Sequence, residues 1–317
     1  MKEIRAAVLH GIGQDPSYET FPAPVAGDGE AVVTVTAAAL KPSDRLMAEG
    51  VHYAPDEFPQ IAGLDGVGRL ADGSRVAFLP PVRPYGGMAE QTLVRRGRWL
   101  PVPDGVDDVT AAAFANPGMA AWKTVIWEGE LTVGQTVLVL GATGMSGRIA
   151  AQLALGQGAR VVAAGRNERV LGELAARGAA AAVRVDRPRG ELAAALAAEG
   201  PYDLIVDYLW GQPAEAVFEA LTRSASRADR IRYILVGMTA GEVAGVPAIA
   251  LRRAPVQLAG SGIGGPASLE ATAAAYADLL KRVVAGEISI DAEAVPLAEV
   301  KKTWPRAGDG RRIVFVP

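Results

Sequence analysis

Two patterns of apolar and polar positions divide the chain. From residue 1 to about 115, short apolar runs are interrupted by Gly, Pro and Asp, and the clearest runs are AVVTVTAAAL, SRVAFLP and MAEQTLV. Turn residues in AGDGE and ADGSR separate such runs, and helical periodicity is scarce. Short apolar runs bounded by turn residues are typical of strands. We therefore predict that the first part of the chain is β-rich.

The pattern changes after FANPG at residues 114–118. Apolar runs of five or six residues then alternate with helix-like segments, beginning with TVLVLG, GRIAAQLALGQG, ARVVAAG and ERVLGELAARG. The alternation continues through AAVRVD, ELAAALAAEG, YDLIVDYL, AEAVFEALTR and IRYILVG. Strands that are apolar throughout and separated by helices are typical of a parallel sheet covered on both faces. The predicted fold class is α/β, with a doubly wound parallel sheet of the Rossmann type beside the β-rich part.

A glycine turn joins the first strand of this region to its first helix, in VLVLGATGMSGRIAA at residues 137–151. Gly141, Gly144 and Gly147 recur every three residues, and Ala142 stands at the first position of a variant dinucleotide-binding fingerprint. Gly144 would allow backbone amides to approach a pyrophosphate, and Gly147 would allow the helix to pack closely on the strand. The positive end of the helix would face the anion. A tight strand–helix turn without a ligand is the alternative.

The residue after the second strand bears on the choice between NAD and NADP. NAD enzymes usually carry Asp or Glu there for the ribose hydroxyls, whereas this chain has Arg166, 22 residues after Gly144. A guanidinium binds a 2′-phosphate through paired hydrogen bonds. Asn167 is a suitable N-cap, so Arg166 would stand at the positive end of a helix, where a cation is disfavoured without an anion. We predict NADPH, with Arg169 as a second contact; a solvated surface arginine is the alternative.

Composition and charge exclude several classes of function. The 317 residues include no cysteine and two histidines, which excludes disulfides, thiolate nucleophiles and zinc sites rich in cysteine or histidine. The net charge of −3 gives no basic surface for nucleic acid. No run of about 18 apolar residues is free of charge or glycine, so no membrane span is expected. The first residues are too poor in apolar positions for a signal peptide, and a cytoplasmic location is expected.

With these residues placed, the chain resembles the zinc-independent medium-chain dehydrogenase/reductases, in particular the quinone oxidoreductases of the zeta-crystallin type. The resemblance covers almost the whole length and rests on order as well as on motif. It implies a GroES-like substrate domain formed by residues 1–118 and 266–317, and a Rossmann domain formed by residues 119–265. Short-chain reductases can also carry a GATGxxG turn, but theirs lies near the amino terminus, whereas more than 130 residues precede it here.

The resemblance also implies a reaction without a metal ion. Zinc-dependent members place a cysteine after an early strand and a His-Glu pair in a GHExxG segment. This chain has Lys41 at the first position and GLDGVG at the second, so no metal site and no zinc Lewis acid are expected. Asp44 is expected to be a structural hydrogen-bonding residue. Asp65 is expected to pair with Arg312 across the domain interface.

Further cofactor contacts follow from the positions that match the family. They would line the crevice at the carboxyl ends of the parallel strands. The complete set of candidate contacts is Lys41, Asn116, Met119, Gly141, Ala142, Thr143, Gly144, Met145, Ser146, Gly147, Gly165, Arg166, Asn167, Arg169, Tyr208, Val236, Gly237, Met238, Gly260, Ser261, Gly262 and Arg312.

The activity implied is hydride transfer from NADPH to a small-molecule electrophile. Without a metal ion, a quinone or an α,β-unsaturated carbonyl is favoured over a plain ketone, because conjugation spreads the developing negative charge. Tyr53 lies near a tyrosine position of related reductases and is the candidate catalytic donor of a hydrogen bond or proton; a loop aromatic that lines the pocket is the alternative. The second hypothesis is an NADPH-binding sensor or structural protein with little turnover. A homodimer is expected from the same resemblance.

Overall fold

The computed structural model describes residues 2–51, 54–223, 230–262, 267–306 and 311–317. The strands in these ranges are β1 Glu3–Leu9, β2 Ser17–Pro22, β3 Glu30–Ala39, β4 Gln60–Ile61, β5 Gly66–Arg69, β6 Arg75–Phe78, β7 Gln91–Arg95, β8 Trp99–Pro101, β9 Thr136–Leu140, β10 Arg160–Gly165, β11 Ala181–Arg184, β12 Leu204–Asp207, β13 Ile231–Leu235, β14 Val256–Gly260, β15 Ala292–Pro296 and β16 Arg312–Val316. The α-helices are α1 Pro42–Ala48, α2 Asp108–Trp122, α3 Met145–Gly156, α4 Glu168–Ala176, α5 Arg189–Glu199, α6 Gly211–Arg223, α7 Ala248–Arg253, α8 Leu269–Val284 and α9 Val300–Thr303. Within the described ranges, no helix is both long enough and apolar enough to cross a membrane.

The chain forms two compact units. Unit 1 comprises Met1–Met119, Ala267–Gly286 and Ile290–Pro317, and unit 2 comprises Ala120–Pro266 and Glu287–Ser289. Each unit is described below by itself.

Unit 2 is built around a six-stranded parallel sheet. Its strand order is β11-β10-β9-β12-β13-β14, and each neighbouring pair runs parallel. Both faces of the central strands are covered, because residues 137–140 and 161–164 are fully buried. The chain builds outward from β9 to β11 and then returns to the other side of β9 with β12. A ligand crevice is expected outside the carboxyl ends of the strands at such a reversal. The predicted doubly wound Rossmann sheet is confirmed.

Unit 1 is β-rich, as predicted, and has the GroES-like architecture. A three-stranded sheet has the order β2-β1-β4, and a seven-stranded sheet has the order β15-β16-β3-β5-β6-β8, with β7 also paired to β3. The late strand β16 pairs antiparallel with the early strand β3. Buried side chains from both parts of the sequence, among them Leu9, Val35, Phe78 and Phe315, form one core.

The helix α2 departs from the expectation that helices are scarce before residue 115. It contains Pro117 and passes directly into a π-helical turn at Lys123–Trp127. Its residues 111–113 are alanines with almost no exposed surface. A helix that is apolar on all sides lacks the one-sided periodicity that marks a surface helix. That absence is why the sequence pattern missed it.

The close approach of α3 to the end of β9 determines where this helix begins. A Cβ atom on Gly147 would lie 2.1 Å from the Gly141 carbonyl oxygen and 2.7 Å from the carbonyl carbon. Both obstructing atoms are backbone, so neither can rotate away. Gly141 itself has a φ of +85°, which glycine adopts without the strain of a side chain. The predicted role of Gly147 in close helix–strand packing is confirmed.

Replacing Gly147 by alanine is expected to destabilise unit 2. Overpacking costs about 1–3 kcal/mol, and more where the obstructing atoms are fixed. The midpoint of urea unfolding, followed by circular dichroism, should fall accordingly. Gly172→Ala is the matched control, because Gly172 also lies in a helix, α4, and a Cβ there meets no atom within 4 Å. The control should be neutral or stabilising by ~0.5–1 kcal/mol, and equal losses in the two variants would contradict the packing argument.

Candidate functional site

The turn between β9 and α3 presents backbone amides that no described side chain caps. Gly144 is the N-cap residue of α3, with φ −83° and ψ 166°, and the first turn of the helix carries no acidic residue. The first amides of a helix have no intrahelical acceptor. The N–H groups of Met145, Ser146 and Gly147 are therefore available to an anion, and the helix dipole favours negative charge there.

Gly144 differs from the other two glycines of the turn. Its φ lies in the ordinary range, and the nearest atom to a Cβ placed on it is the Gly141 carbonyl oxygen at 3.4 Å. The fold would therefore accept a side chain at position 144, whereas it excludes one at Gly147. What Gly144 provides is open space beside the uncapped amides. This space fits the pyrophosphate of a dinucleotide, which must approach the backbone closely.

Thr143 connects this turn to the end of the neighbouring strand β10. The Ala142 amide donates a hydrogen bond to the Ala164 carbonyl oxygen at 2.9 Å. The Thr143 side chain occupies the space above Gly165, because a Cβ on Gly165 would lie 2.4 Å from Thr143 Cγ2. The Arg166 amide lies 3.4 Å from Thr143 Oγ1 and donates to it. The glycine turn and the end of β10 therefore form one connected edge.

Arg166 follows β10 and precedes α4. Asn167 is the N-cap of α4, as predicted, because its side chain accepts a hydrogen bond from the Val170 amide at 3.3 Å. Arg166 is exposed, and among the described residues none gives its guanidinium a hydrogen bond or an ion pair. A cation at the positive end of a helix is unfavourable unless an anion joins it. Arg169, in contrast, is paired with Glu173 on its own helix.

The other candidate contacts of unit 2 lie after the three strands on the far side of β9. Tyr208 follows β12, residues 236–238 follow β13, and residues 260–262 lie at the end of β14. The chain is tightly packed here, since a Cβ on Gly237 would lie 2.8 Å from the Tyr208 carbonyl oxygen. Met238 is 53% exposed. All of these positions share the carboxyl edge of the sheet with the glycine turn.

Two side chains near this edge were missed in the sequence. The buried Thr124, in the π-helical turn, has its hydroxyl 3.4 Å from the Tyr208 hydroxyl. Burial raises the pKa of Tyr208, so its phenol is neutral at physiological pH. The Lys123 ammonium donates to the Gly262 carbonyl oxygen at 2.8 Å and lies 3.3 Å from the Glu128 carboxylate. A π-helical turn is frequent at functional sites, but no sequence pattern identifies one.

Unit 1 holds a buried charge cluster formed by Lys41, Asp44 and Asp65. The Lys41 ammonium lies 2.6 Å from Asp65 Oδ1, 3.1 Å from Asp44 Oδ2 and 3.0 Å from the Ala39 carbonyl oxygen. Lys41 is 2% exposed. Burial alone would lower the pKa of Lys41, but the two carboxylates more than offset burial, so the pKa is raised. The lysine is a fixed cation that donates hydrogen bonds to Asp65 and to the Ala39 carbonyl oxygen and forms an ion pair with Asp44. Lys41 therefore belongs to this buried cluster, and its expected contact with the cofactor stays a prediction.

Asp44 ties the cluster to the backbone, which confirms its expected structural role. Its Oδ2 atom accepts a hydrogen bond from the Lys41 amide at 2.8 Å, and its Oδ1 atom accepts one from the Leu64 amide at 3.0 Å. These bonds hold the start of α1 next to the segment before β5. Two chain segments that are distant in sequence are thus joined at one carboxylate.

The predicted pairing of Asp65 with Arg312 is wrong. Asp65 pairs with Lys41, and Arg312 donates from Nη1 to the Leu40 carbonyl oxygen at 2.9 Å. Asp65 Oδ2 and Arg312 Nε are buried without a hydrogen-bond partner among the described residues. The compact ammonium of Lys41 can lie between the carboxylates of Asp44 and Asp65, whereas the planar guanidinium of Arg312 is hydrogen-bonded to the Leu40 carbonyl oxygen. Both residues belong to unit 1.

The remaining sequence-predicted residues are placed as follows. Asn116 is exposed and Met119 is half-buried, and both lie on α2. Arg312 is buried at the start of β16. Tyr53, the candidate catalytic residue, lies outside the described residues.

Replacing Lys41 by methionine is expected to destabilise unit 1, because two carboxylates would stay buried without their cation. Breaking a buried pair in this way costs about 3–5 kcal/mol. Burial raises the pKa of Asp65 and Lys41 opposes that effect, so the variant would hold Asp65 further above its unfolded pKa of ~3.9. Stability linked to a raised carboxyl pKa is present below the unfolded pKa and is lost as pH rises through the folded pKa. The deficit relative to wild type should therefore be smaller at about pH 5 than at about pH 8 in urea unfolding.

The double variant Lys41→Met/Asp65→Asn is the control for this experiment. It removes one of the two carboxylates that Lys41→Met leaves buried without a cation. It should therefore regain part of the lost stability, and its remaining deficit relative to wild type should change little between the two pH values. A deficit in Lys41→Met that is the same at both pH values would contradict the electrostatic account.

Comparisons with known proteins were made after these observations. No family model matches the chain. A probable NADPH-dependent quinone reductase of Emericella nidulans is 26% identical, and the alignment covers 95% of this chain and 96% of that protein. A quinone oxidoreductase of Pongo abelii is 28% identical over 147 residues, which cover 44% of this chain and 45% of that protein. This second match therefore spans less than half of each protein.

Solved structures extend the likeness to the whole chain. The quinone oxidoreductase of Thermus thermophilus has a TM-score of 0.78 and 27% identity, covering 99% of this chain and all of that one. A mycobacterial quinone oxidoreductase has a TM-score of 0.83 with 21% identity over 99% of this chain and all of that one, and it supports the fold alone. The order of the two units, the glycine turn and these likenesses agree: the chain is similar along its whole length to quinone oxidoreductases of the medium-chain dehydrogenase/reductase type.

Proposed function

We propose that this protein is an NADPH-dependent oxidoreductase that reduces a quinone or an α,β-unsaturated carbonyl without a metal ion. The observation that carries the proposal is the open, uncapped turn at Gly144 beside Arg166, whose guanidinium has no partner within the described ranges. One relative is named a probable NADPH-dependent quinone reductase, and one structural relative was solved in complex with NADPH. Both names support the same cofactor.

Unit 2 would hold the dinucleotide along the carboxyl edge of its sheet. The amides of Met145, Ser146 and Gly147 would bind the pyrophosphate oxygens, with the positive end of α3 behind them. Tyr208 and the residues after β13 and β14 would line the rest of the groove. Bound NADPH supplies the hydride for the reaction.

The charge at the end of β10 supports NADPH over NADH. An exposed guanidinium at the amino-terminal end of α4 lies where the positive helix dipole opposes it. A 2′-phosphate would relieve that unfavourable arrangement and accept charge-assisted hydrogen bonds from Arg166. The 2′-hydroxyl of NADH carries no charge, so it would not offset the unfavourable position of Arg166 at the positive end of α4. The cofactor preference therefore follows from electrostatics at one residue.

The buried cluster of unit 1 supports a reaction without a metal ion. By the resemblance, Lys41 stands where zinc-dependent members have a cysteine, and Gly63-Leu64-Asp65 stands where they have Gly-His-Glu. The Lys41 and Asp65 side chains form an ion pair at 2.6 Å. The Lys41 cation already forms ion pairs with the carboxylates of Asp65 and Asp44. A divalent metal ion is held by anionic or neutral ligands, and this set offers it a bound ammonium instead.

Without a Lewis acid, the acceptor itself must spread the charge that develops during reduction. Quinones and enones do so by conjugation, which is why they are proposed over plain ketones. A hydrogen-bond donor such as Tyr53 would contribute further, and its catalytic role stays a prediction. An NADPH-binding sensor with little turnover remains the alternative.

The expected homodimer and cytoplasmic location also stay predictions. The strand β14 lies at one end of the six-stranded sheet of unit 2, and Gln257, Leu258, Ala259 and Gly260 are exposed. An exposed edge strand offers unpaired backbone groups to a second chain. This feature is compatible with a dimer but does not require one.

Replacing Arg166 by alanine is expected to weaken NADPH binding about 10- to 100-fold and to leave NADH binding nearly unchanged, because only NADPH carries the 2′-phosphate. Isothermal titration calorimetry with each nucleotide measures both affinities. Arg160→Ala is the matched control, since Arg160 is an exposed arginine at the opposite end of β10, paired with Glu199. Equal losses for NADPH and NADH would show that the 2′-phosphate is bound elsewhere.

A panel of acceptors tests the activity. Loss of NADPH absorbance should be sustained with quinones and enones, should be slow with plain saturated ketones, and should be unaffected by a chelator. If no acceptor is reduced while NADPH still raises the melting temperature, the chain binds NADPH without turnover, and the sensor alternative is favoured. A rate that collapses with chelator and returns with zinc would overturn the metal-free mechanism.

A further inference from the structure

An exposed charge cluster lies next to the proposed 2′-phosphate site. We name it the Arg184 cluster, and it consists of Arg184, Glu168 and Asp186. Arg184 donates from Nε to Asp186 Oδ1 at 2.7 Å, and its Nη2 atom contacts the other oxygen of the same carboxylate. Its Nη1 atom donates a hydrogen bond to Glu168 Oε1. One guanidinium therefore holds two carboxylates.

The sheet register places this cluster beside Arg166. Arg184 is the last residue of β11 and lies directly opposite Gly165, the last residue of β10. Arg166 follows Gly165, and Glu168 is the first residue of α4. Neighbouring strands are separated by about 4.8 Å, so the Arg184 backbone lies about one strand spacing from Gly165, the residue before Arg166.

If Arg184 were absent, the Glu168 carboxylate and the 2′-phosphate of NADPH would compete for the Arg166 guanidinium. Glu168 lies only two residues from Arg166, and its side chain is 77% exposed. If Arg184 were removed, Glu168 would lose its cation. Along the chain, the nearest arginine to Glu168 that has no partner among the described residues is Arg166, because Arg169 is paired with Glu173. A carboxylate on Arg166 would occupy the donors that a 2′-phosphate needs. A free carboxylate nearby would also repel that phosphate.

We infer that Arg184 is a positioning residue for cofactor choice: it holds Glu168 away from Arg166 and so keeps the Arg166 guanidinium available to the 2′-phosphate of NADPH. The inference rests on the proposed function, because it assumes that Arg166 binds this phosphate. Arg184 itself need not touch the cofactor.

The pair of Arg184 and Asp186 is charged at neutral pH. The hydrogen bonds from Arg184 lower the pKa of Asp186 to about 2. The two carboxylates raise the pKa of Arg184, with the Asp186 hydrogen bond as the largest cause. The restraint on Glu168 is therefore present at neutral pH.

The test measures the dissociation constants of NADPH and NADH by calorimetry at low ionic strength. In Arg184→Ala, the constant for NADPH should rise about 3- to 10-fold, as expected for an exposed charge effect, while that for NADH stays within about twofold. In Arg184→Ala/Glu168→Gln, NADPH affinity should return to within about twofold of wild type, because the released carboxylate is gone. The NADPH effect of Arg184→Ala should shrink as salt is raised.

Each other outcome has a defined meaning. Equal losses for both nucleotides in Arg184→Ala, or no recovery in the double variant, would overturn the role assigned to Arg184 and leave the proposed function intact. A wild-type protein that binds NADPH and NADH equally would overturn the proposed cofactor preference, and this inference with it. Arg160→Ala, at the far end of β10, should leave the ratio of the two constants unchanged.

Discussion

The contact between Gly147 and the carbonyl group of Gly141 is the constraint on which the site of unit 2 depends. A Cβ at 147 would lie 2.1 Å from that oxygen, so only glycine lets α3 begin where it does. The start of α3 determines which three amides face the end of β9. Thr143, in the same turn, lies against Gly165 and accepts a hydrogen bond from the Arg166 amide. One steric requirement thus sets the place of the proposed anion site and keeps it next to Arg166.

Ion pairs do different work in the two units because their burial differs. The pair of Lys41 and Asp65 is almost fully buried, so its partners cannot be solvated when separated, and the pair joins two chain segments permanently. The Arg184 cluster is exposed, so its ion pairs are screened by salt and contribute little to the stability of the fold. A buried pair is therefore a matter of stability, whereas an exposed cluster beside a ligand site can adjust the field that a ligand meets.

The sequence predicted those features that are local. The strands β9 and β10 are continuous apolar runs, which the sequence pattern predicts directly. The glycine turn between β9 and α3 is also predicted, because its glycine spacing reflects the close approach of the helix to the strand. The helix α2 was missed because its alanines are buried on all sides and leave no periodic face. The partner of Asp65 was assigned wrongly, since 24 residues separate it from Lys41 and no local rule names a partner at that distance. Thr124 and Arg184 were missed for the same reason: their roles arise from neighbouring strands and turns rather than from their own segments.

The sequence therefore predicts the cofactor of a reductase better than it predicts the acceptor. A dinucleotide is bound largely by backbone amides and by a helix end, which glycine spacing reveals, and its 2′-phosphate is sensed by one charge at a fixed point of the fold. An acceptor is recognised by side chains that converge from separate loops, and no local spacing in the sequence identifies which side chains these are. The Lys41 cluster shows the same limit, because its ammonium pairs with the Asp65 carboxylate 24 residues further along the chain and the pattern of neither segment identifies the other.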